Sequence, residues 1–103
     1  WEKELNLVKD IYIKDGNIGV LYGNTFELFS MDGSSKDKYT FSEEYKKMIP
    51  FGGYTVLYGS NHIIGLKGGE EVFEYESEDP INKVVQGNQN LIVVYGSRID
   101  IIS

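Results

Sequence analysis

Apolar residues in this chain come in short bursts of four to six, most of them separated by turns rich in Gly, Asn, Asp or Ser. No stripe at helical spacing runs through them. In the most apolar bursts both faces of the alternation are filled. Ile18, Val20 and Tyr22 alternate with Gly19 and Leu21, and Tyr54, Val56 and Tyr58 alternate with Thr55 and Leu57. A strand with one wet face would alternate apolar with polar residues, so these segments are expected in sheets covered on both sides. The bursts Lys38 to Phe41 and Glu71 to Glu76 are more polar and charged, as expected of strands near solvent. The pattern predicts strands at Asp10 to Lys14, Ile18 to Tyr22, Thr25 to Ser30 and Lys38 to Phe41. It predicts four more at Lys47 to Phe51, Tyr54 to Tyr58, His62 to Leu66 and Glu71 to Glu76. The last three fall at Asn82 to Gln86, Leu91 to Tyr95 and Arg98 to Ile102. Between them lie Gly23-Asn24, Asp32-Gly33, Gly59-Ser60, Gly68-Gly69 and Gly96-Ser97. Such pairs are read as hairpin turns whose glycines supply positive φ.

A repeat underlies the bursts. Val20-Leu21-Tyr22-Gly23 recurs as Val56-Leu57-Tyr58-Gly59 and again as Val93-Val94-Tyr95-Gly96, at spacings of 36 and 37 residues. A shift of 36 lays Ile18 to Gly33 over Tyr54 to Gly69 without a gap. The same register sets Gly16 on Gly52, Tyr12-Ile13 on Met48-Ile49, and Tyr39 on Tyr75. Val84-Val85 forms the third member of the Met48-Ile49 set. Ile99 falls on His62 and Ile101 on Ile64. Periods of this size are the mark of repeat architectures. The units are approximately 10–45, 46–80 and 81–103, within one domain spanning 1–103. Each reads as a four-stranded antiparallel meander, the third with three strands before the sequence ends. Trp1 to Leu5 falls in fourth-strand register, as an outer strand of a neighbouring unit.

A period near 36, four strands per unit, and a core of strand, Tyr-Gly turn, strand and Asp-Gly resemble a blade of the PQQ-like or WD40-like β-propeller superfamily. The resemblance spans nearly the whole chain and extends to degenerate propeller domains of surface and membrane-anchored proteins in low-GC Gram-positive bacteria. The Trp-Asp dipeptide of WD40 blades is absent, as is the Trp that closes each PQQ-type blade; Trp1 is the single tryptophan. The resemblance implies an all-β fold of about three propeller-like blades, with a β-trefoil as the alternative. Propellers typically have four to eight blades. The expectation is therefore part of a larger propeller, or two copies completing one ring. The resemblance also favours the outer side of a bacterial cell.

Composition adds limits. One domain fits 103 residues. Alanine is absent while Ile, Val, Tyr, Phe and Gly abound, which favours strands. Ser42 to Met48 is the one helical candidate, with Ser42 as cap and Glu43-Glu44 in its first turn, and it reads equally as the loop between repeats. A net charge of −6 argues against nucleic acid as a partner. Without cysteine there is no disulfide framework, thiolate nucleophile or Cys-based metal site. No membrane span is expected in this segment.

Candidate chemistry is sparse. Tyr22, Tyr58 and Tyr95 would form a ring of phenols lining a channel, or would pack at strand ends with their hydroxyls on turns. His62, the single histidine, is expected in the core or half-buried, with no partner set for a triad. Gly52-Gly53 and Gly68-Gly69 precede no helix and no Walker pattern, and read as turns. Asp32, Asp37 and Asp100 are scattered over different segments. Glu76, Glu78 and Asp79 offer a cation site against the simpler reading of a solvated acidic loop. No catalytic, cofactor-binding or metal residue is assigned. The expectation is a non-catalytic binding module taking a protein or glycan ligand. A fragment of a propeller enzyme and an oligomerisation domain are the alternatives.

Overall fold

The structure, a computed structural model, describes residues 1–102. Eleven strands follow one another: β1 (Val8–Lys14), β2 (Asn17–Tyr22), β3 (Thr25–Ser30), β4 (Ser35–Thr40), β5 (Lys47–Phe51), β6 (Tyr54–Tyr58), β7 (His62–Lys67), β8 (Glu70–Glu76), β9 (Lys83–Gln86), β10 (Leu91–Val94) and β11 (Ile99–Ile102). They form three separate antiparallel meanders, β1-β2-β3-β4, β5-β6-β7-β8 and β9-β10-β11. All eleven predicted strands are present, with ends displaced by three residues at most. No strand pairs from one unit to the next among the described residues, and no sheet closes on itself.

Ser42 to Met48, readable as a short helix or as the loop between repeats, is a loop that runs into β5, and one expected strand is absent. A seven-residue helix gains too few hydrogen bonds to repay its nucleation, and tertiary contacts claim this stretch instead. Tyr45 is buried edge-on to Phe41 at 4.8 Å, while the amide of Met48 donates to Asp10 Oδ2 at 3.0 Å. The absent strand is Trp1 to Leu5. The Trp1 indole packs 5.9 Å from the Phe29 ring and donates from Nε1 to the Met31 carbonyl at 2.6 Å.

The pairing corrects the repeat register. Tyr22 pairs with Thr25 across Gly23-Asn24, and the Tyr95 amide donates to the Arg98 carbonyl across Gly96-Ser97 at 2.9 Å. In the second unit the closing residues are Gly59 and His62, whose amide and carbonyl meet at 3.0 Å. Gly59 thus stands where Tyr22 and Tyr95 stand. Ile11, Met48 and Val84 are equivalent, opposite Val20, Leu57 and Val93. The equivalent of Phe26 and Ile99 is Ile63, not His62. The structural spacing is therefore 37 and then 36, the reverse of the sequence motif. The shorter turn after β7 restores Tyr39 opposite the equivalent of Tyr75's partner. Both four-stranded sheets carry a bulge at one equivalent point, Leu28/Phe29 and Gly65/Leu66.

This slip decides the packing, because one residue of register moves a side chain to the other face. Each sheet has an A face, holding Val20, Leu57 or Val93, and a B face, holding Leu21, Tyr58 or Val94. In the first core, Leu21 and Phe26 from the B face of sheet 1 meet Met48, Leu57, Ile64 and Leu66 from the A face of sheet 2. In the second, Val56 and Ile63 from the B face of sheet 2 meet Val84, Leu91 and Val93 from the A face of sheet 3. The sheets are stacked head to tail. Their backbones approach most closely at the first strands, β1 against β5 and β5 against β9, so the sheets fan outward from that edge. Leu21 and Leu57 are 0 % exposed between the first two.

Candidate functional site

A cleft of about 180 Å³ opens where sheets 1 and 2 diverge. Three hairpin turns converge on its rim: Asp15-Gly16, Gly52-Gly53 and Gly68-Gly69. Gly68 and Gly69 both have positive φ (62° and 77°), which two-residue turns of this hand need and glycine adopts without strain. Phe26, Leu28 and Leu66 line the apolar interior, while Asp37, Asn17, Lys14 and Lys67 line the polar rim.

Tyr12 and Thr55 bridge the two sheets here, with hydroxyls 2.6 Å apart. The Tyr12 ring lies flat on the backbone of Gly19, where any Cβ would collide with it. Burial pushes the Tyr12 phenol up, and the Asp37 charge adds to this against the Thr55 hydrogen bond. The Asp37 carboxylate stands next to the Gly69 backbone; a Cβ there would lie 3.9 Å from Asp37 Oδ1. Lys67 holds its ammonium 5.6 Å from the Tyr54 ring centre, a cation–π distance. The cleft thus presents two hydroxyls and one carboxylate over a short apolar wall, with the Lys14 ammonium at its rim, while the Tyr54 ring and the Lys67 ammonium on it lie on the B face of sheet 2, edge-on to Phe73. Such a set can hydrogen-bond a polar ligand against an apolar surface.

Of the residues singled out by sequence, Asp37 and both glycine pairs come together here. Most others do not. Tyr22 donates to Glu27 Oε1 at 2.6 Å on the outer face of sheet 1. Tyr95 lies 3.2 Å from the Tyr75 hydroxyl and takes a bond from Ser77 Oγ at 3.2 Å. Tyr58 packs on the B face of sheet 2 beside the second core. The three tyrosines line no common channel, because the register slip turns Tyr58 to the opposite face. Asp32 accepts from the Ser30 hydroxyl and from the Ser34 amide, which hold its carboxyl down to about 2.

His62 is half-buried, its Nε2 3.4 Å from Glu76 and its Nδ1 3.9 Å from Glu43. Glu76, Glu78 and Asp79 do not converge on a cation. Glu76 faces His62, while Asp79 pairs with Arg98, which also approaches Asp100 at 3.6 Å. Among the described residues no group of three or more His, Asp or Glu side chains could hold a metal ion. No helix of the described residues is long and apolar enough to cross a membrane.

A family model matches residues 8–103. The chain belongs to DUF5711, a family of unknown function. No curated protein matches it. The matched span takes in all eleven strands and every cleft residue, and it begins with the first residue of β1. Trp1 to Leu7 lies outside it.

Sequence reading missed Tyr12, Thr55, Lys14 and Lys67 as site residues. Each belongs to an ordinary strand, and only the juxtaposition of two sheets brings them to one place. The one local signal was Gly19 directly across from Tyr12, a glycine under an aromatic ring.

Proposed function

We propose that this chain is a non-catalytic binding module built of propeller-like blades, and that the cleft between its first and second units takes a glycan on the outside of a cell. Head-to-tail sheets fanning from their first strands support the propeller-like reading, since blades around an axis stack in this manner. The observation that carries the ligand reading is the cleft itself. Asp37 and the Tyr12–Thr55 hydroxyl pair meet across two units over the apolar wall of Phe26, Leu28 and Leu66, and sugars are held by carboxylate and hydroxyl hydrogen bonds against an apolar surface.

Titration of the isotope-labelled chain with binders selected on a glycan array tests this. Amide shifts are expected at Tyr12, Asp37, Thr55 and Lys67. Asp37→Asn should weaken binding by about tenfold, the loss of one charge-assisted hydrogen bond. Binding that leaves these amides unmoved, or that Asp37→Asn does not alter, would refute the assignment.

A further inference from the structure

A second cavity, of about 430 Å³, opens between the outer strands of sheets 1 and 2 and shares no lining residue with the cleft. One wall is aromatic. β4 carries Tyr39 on the B face of sheet 1, paired with Phe26, and Phe41 follows, stacked on Tyr39 at 6.1 Å. Tyr45 stands edge-on to Phe41, and Ile64 adjoins them. The other wall is acidic. Glu71 and Glu74 of β8 are three residues apart and would point to opposite faces of a regular strand. The bulge at Gly65/Leu66 leaves Val72 unpaired and turns both carboxylates to the A face, opposite Leu66 and Ile64. Glu43 joins them from the connection to β5, and no Lys or Arg lines the cavity. Tyr39 donates to Glu71 Oε2 at 3.0 Å. The Glu74 carboxyl is raised, first by its hydrogen bond to Glu71 and then by the Glu71 charge, as expected of two carboxyl groups brought together with no basic side chain between them.

Tyr45 points to a ligand. It is 2 % exposed, and its backbone carbonyl accepts from Lys9 Nζ, but its hydroxyl has no hydrogen-bond partner among the described residues. None of their side-chain oxygens is both sealed from solvent and unpartnered, so this hydroxyl reaches the cavity. There it lies under the charges of Glu71, Glu43 and Glu74, which add to burial in pushing its pKa up to about 12. A buried hydroxyl without a partner calls for an explanation.

We propose that this cavity binds an alkylammonium ion, its head held by the Tyr45 hydroxyl and the carboxylates of Glu43, Glu71 and Glu74, its stem lying along Phe41 and Ile64. An ammonium has three N–H donors and no acceptor, which suits a phenol oxygen set among carboxylates. The rings of Tyr39 and Phe41 offer it cation–π attraction. A metal ion fits less well, because among the described residues no three acidic or His side chains converge closely enough to hold one. The proposal is independent of the glycan cleft.

The probe is n-butylammonium chloride, titrated into the isotope-labelled full chain against sodium chloride at matched ionic strength. Saturable amide shifts are expected at Phe41, Tyr45, Glu71 and Glu74, with Tyr12 and Thr55 unmoved. Tyr45→Phe removes only the unpartnered hydroxyl and keeps the ring beside Phe41. It should weaken binding about tenfold and leave the melting temperature unchanged. Glu71→Gln should weaken binding by a similar factor. Nα-acetyl-lysine amide distinguishes the source of the cation. Binding as tight as that of butylammonium assigns a lysine side chain of a partner, and binding of butylammonium alone assigns a free amine. Shifts that sodium reproduces, or binding that either variant leaves unchanged, would overturn the proposal. Movement of Tyr12 and Thr55 in place of the named amides would do so as well, so this site and the glycan cleft fail separately.

Discussion

Glu27 shows how a single buried charge is accommodated. Its carboxylate is buried in the outer face of sheet 1 and takes hydroxyl hydrogen bonds from Tyr22 and Ser35, each at 2.6 Å. Burial by itself would raise the carboxyl pKa. The bonds from Ser35 and Tyr22, with the charges of Lys38 and Lys3, outweigh it and leave the pKa lowered. Tyr22 is pushed up to about 12, by burial first and then by its bond to Glu27. A carboxyl lowered in the folded state stabilises the fold above its unfolded pKa, and this stabilisation is lost as pH falls through the folded value. Tyr22→Phe should therefore cost about 1.5–3 kcal/mol at neutral pH, the range for a hydrogen bond to a charged group. The gap to the parent should narrow in strong acid, once Glu27 is protonated. Urea unfolding at both pH values checks this, and an equal loss at each would refute it.

At the scale of elements, the turns separate what the sequence makes look alike. Tyr-Gly follows the second strand of every unit, and each glycine was expected to supply positive φ. Gly23 does, at 50°, whereas Gly59 and Gly96 do not. Gly59 is required for a different reason. Any Cβ there would run into the carbonyl of Glu44, in the connection from the first unit. Nothing lies within 4 Å of the corresponding point on Gly96. Gly59→Ala should destabilise by about 1–3 kcal/mol, because a backbone carbonyl must move. Gly96→Ala should fall within about 0.5 kcal/mol of the parent. Thermal unfolding of the two variants reads the contrast, and equal melting temperatures would overturn it. Strand positions were legible because alternation and turn residues are local signals. At Ser42 to Met48 the sequence left a short helix and a loop open, and the loop prevails because the Tyr45 carbonyl and the Met48 amide are taken by Lys9 and Asp10, partners distant in sequence.

In the whole molecule the middle sheet carries the stack. Val56, Leu57, Ile63 and Ile64 are all buried, on alternate faces that serve the two cores. Sheets 1 and 3 each share only one core. Amides of β6 and β7 should accordingly exchange only on global unfolding, while those of β11 should exchange at least about tenfold faster. Hydrogen exchange followed residue by residue measures this, and uniform protection across the three sheets would contradict it. By itself the sequence determined the all-β class, the eleven strands and the threefold repetition, because these rest on local alternation and on glycine-marked turns. It did not determine which faces meet. The one-residue displacement of Gly59 against Tyr22 and Tyr95 turns the second unit over relative to its own motif, and a motif alignment cannot register that. Only the pairing of strands across the turns decides it. From it follow the head-to-tail stack, the separation of the three tyrosines and the cleft where Tyr12 meets Thr55 across two units.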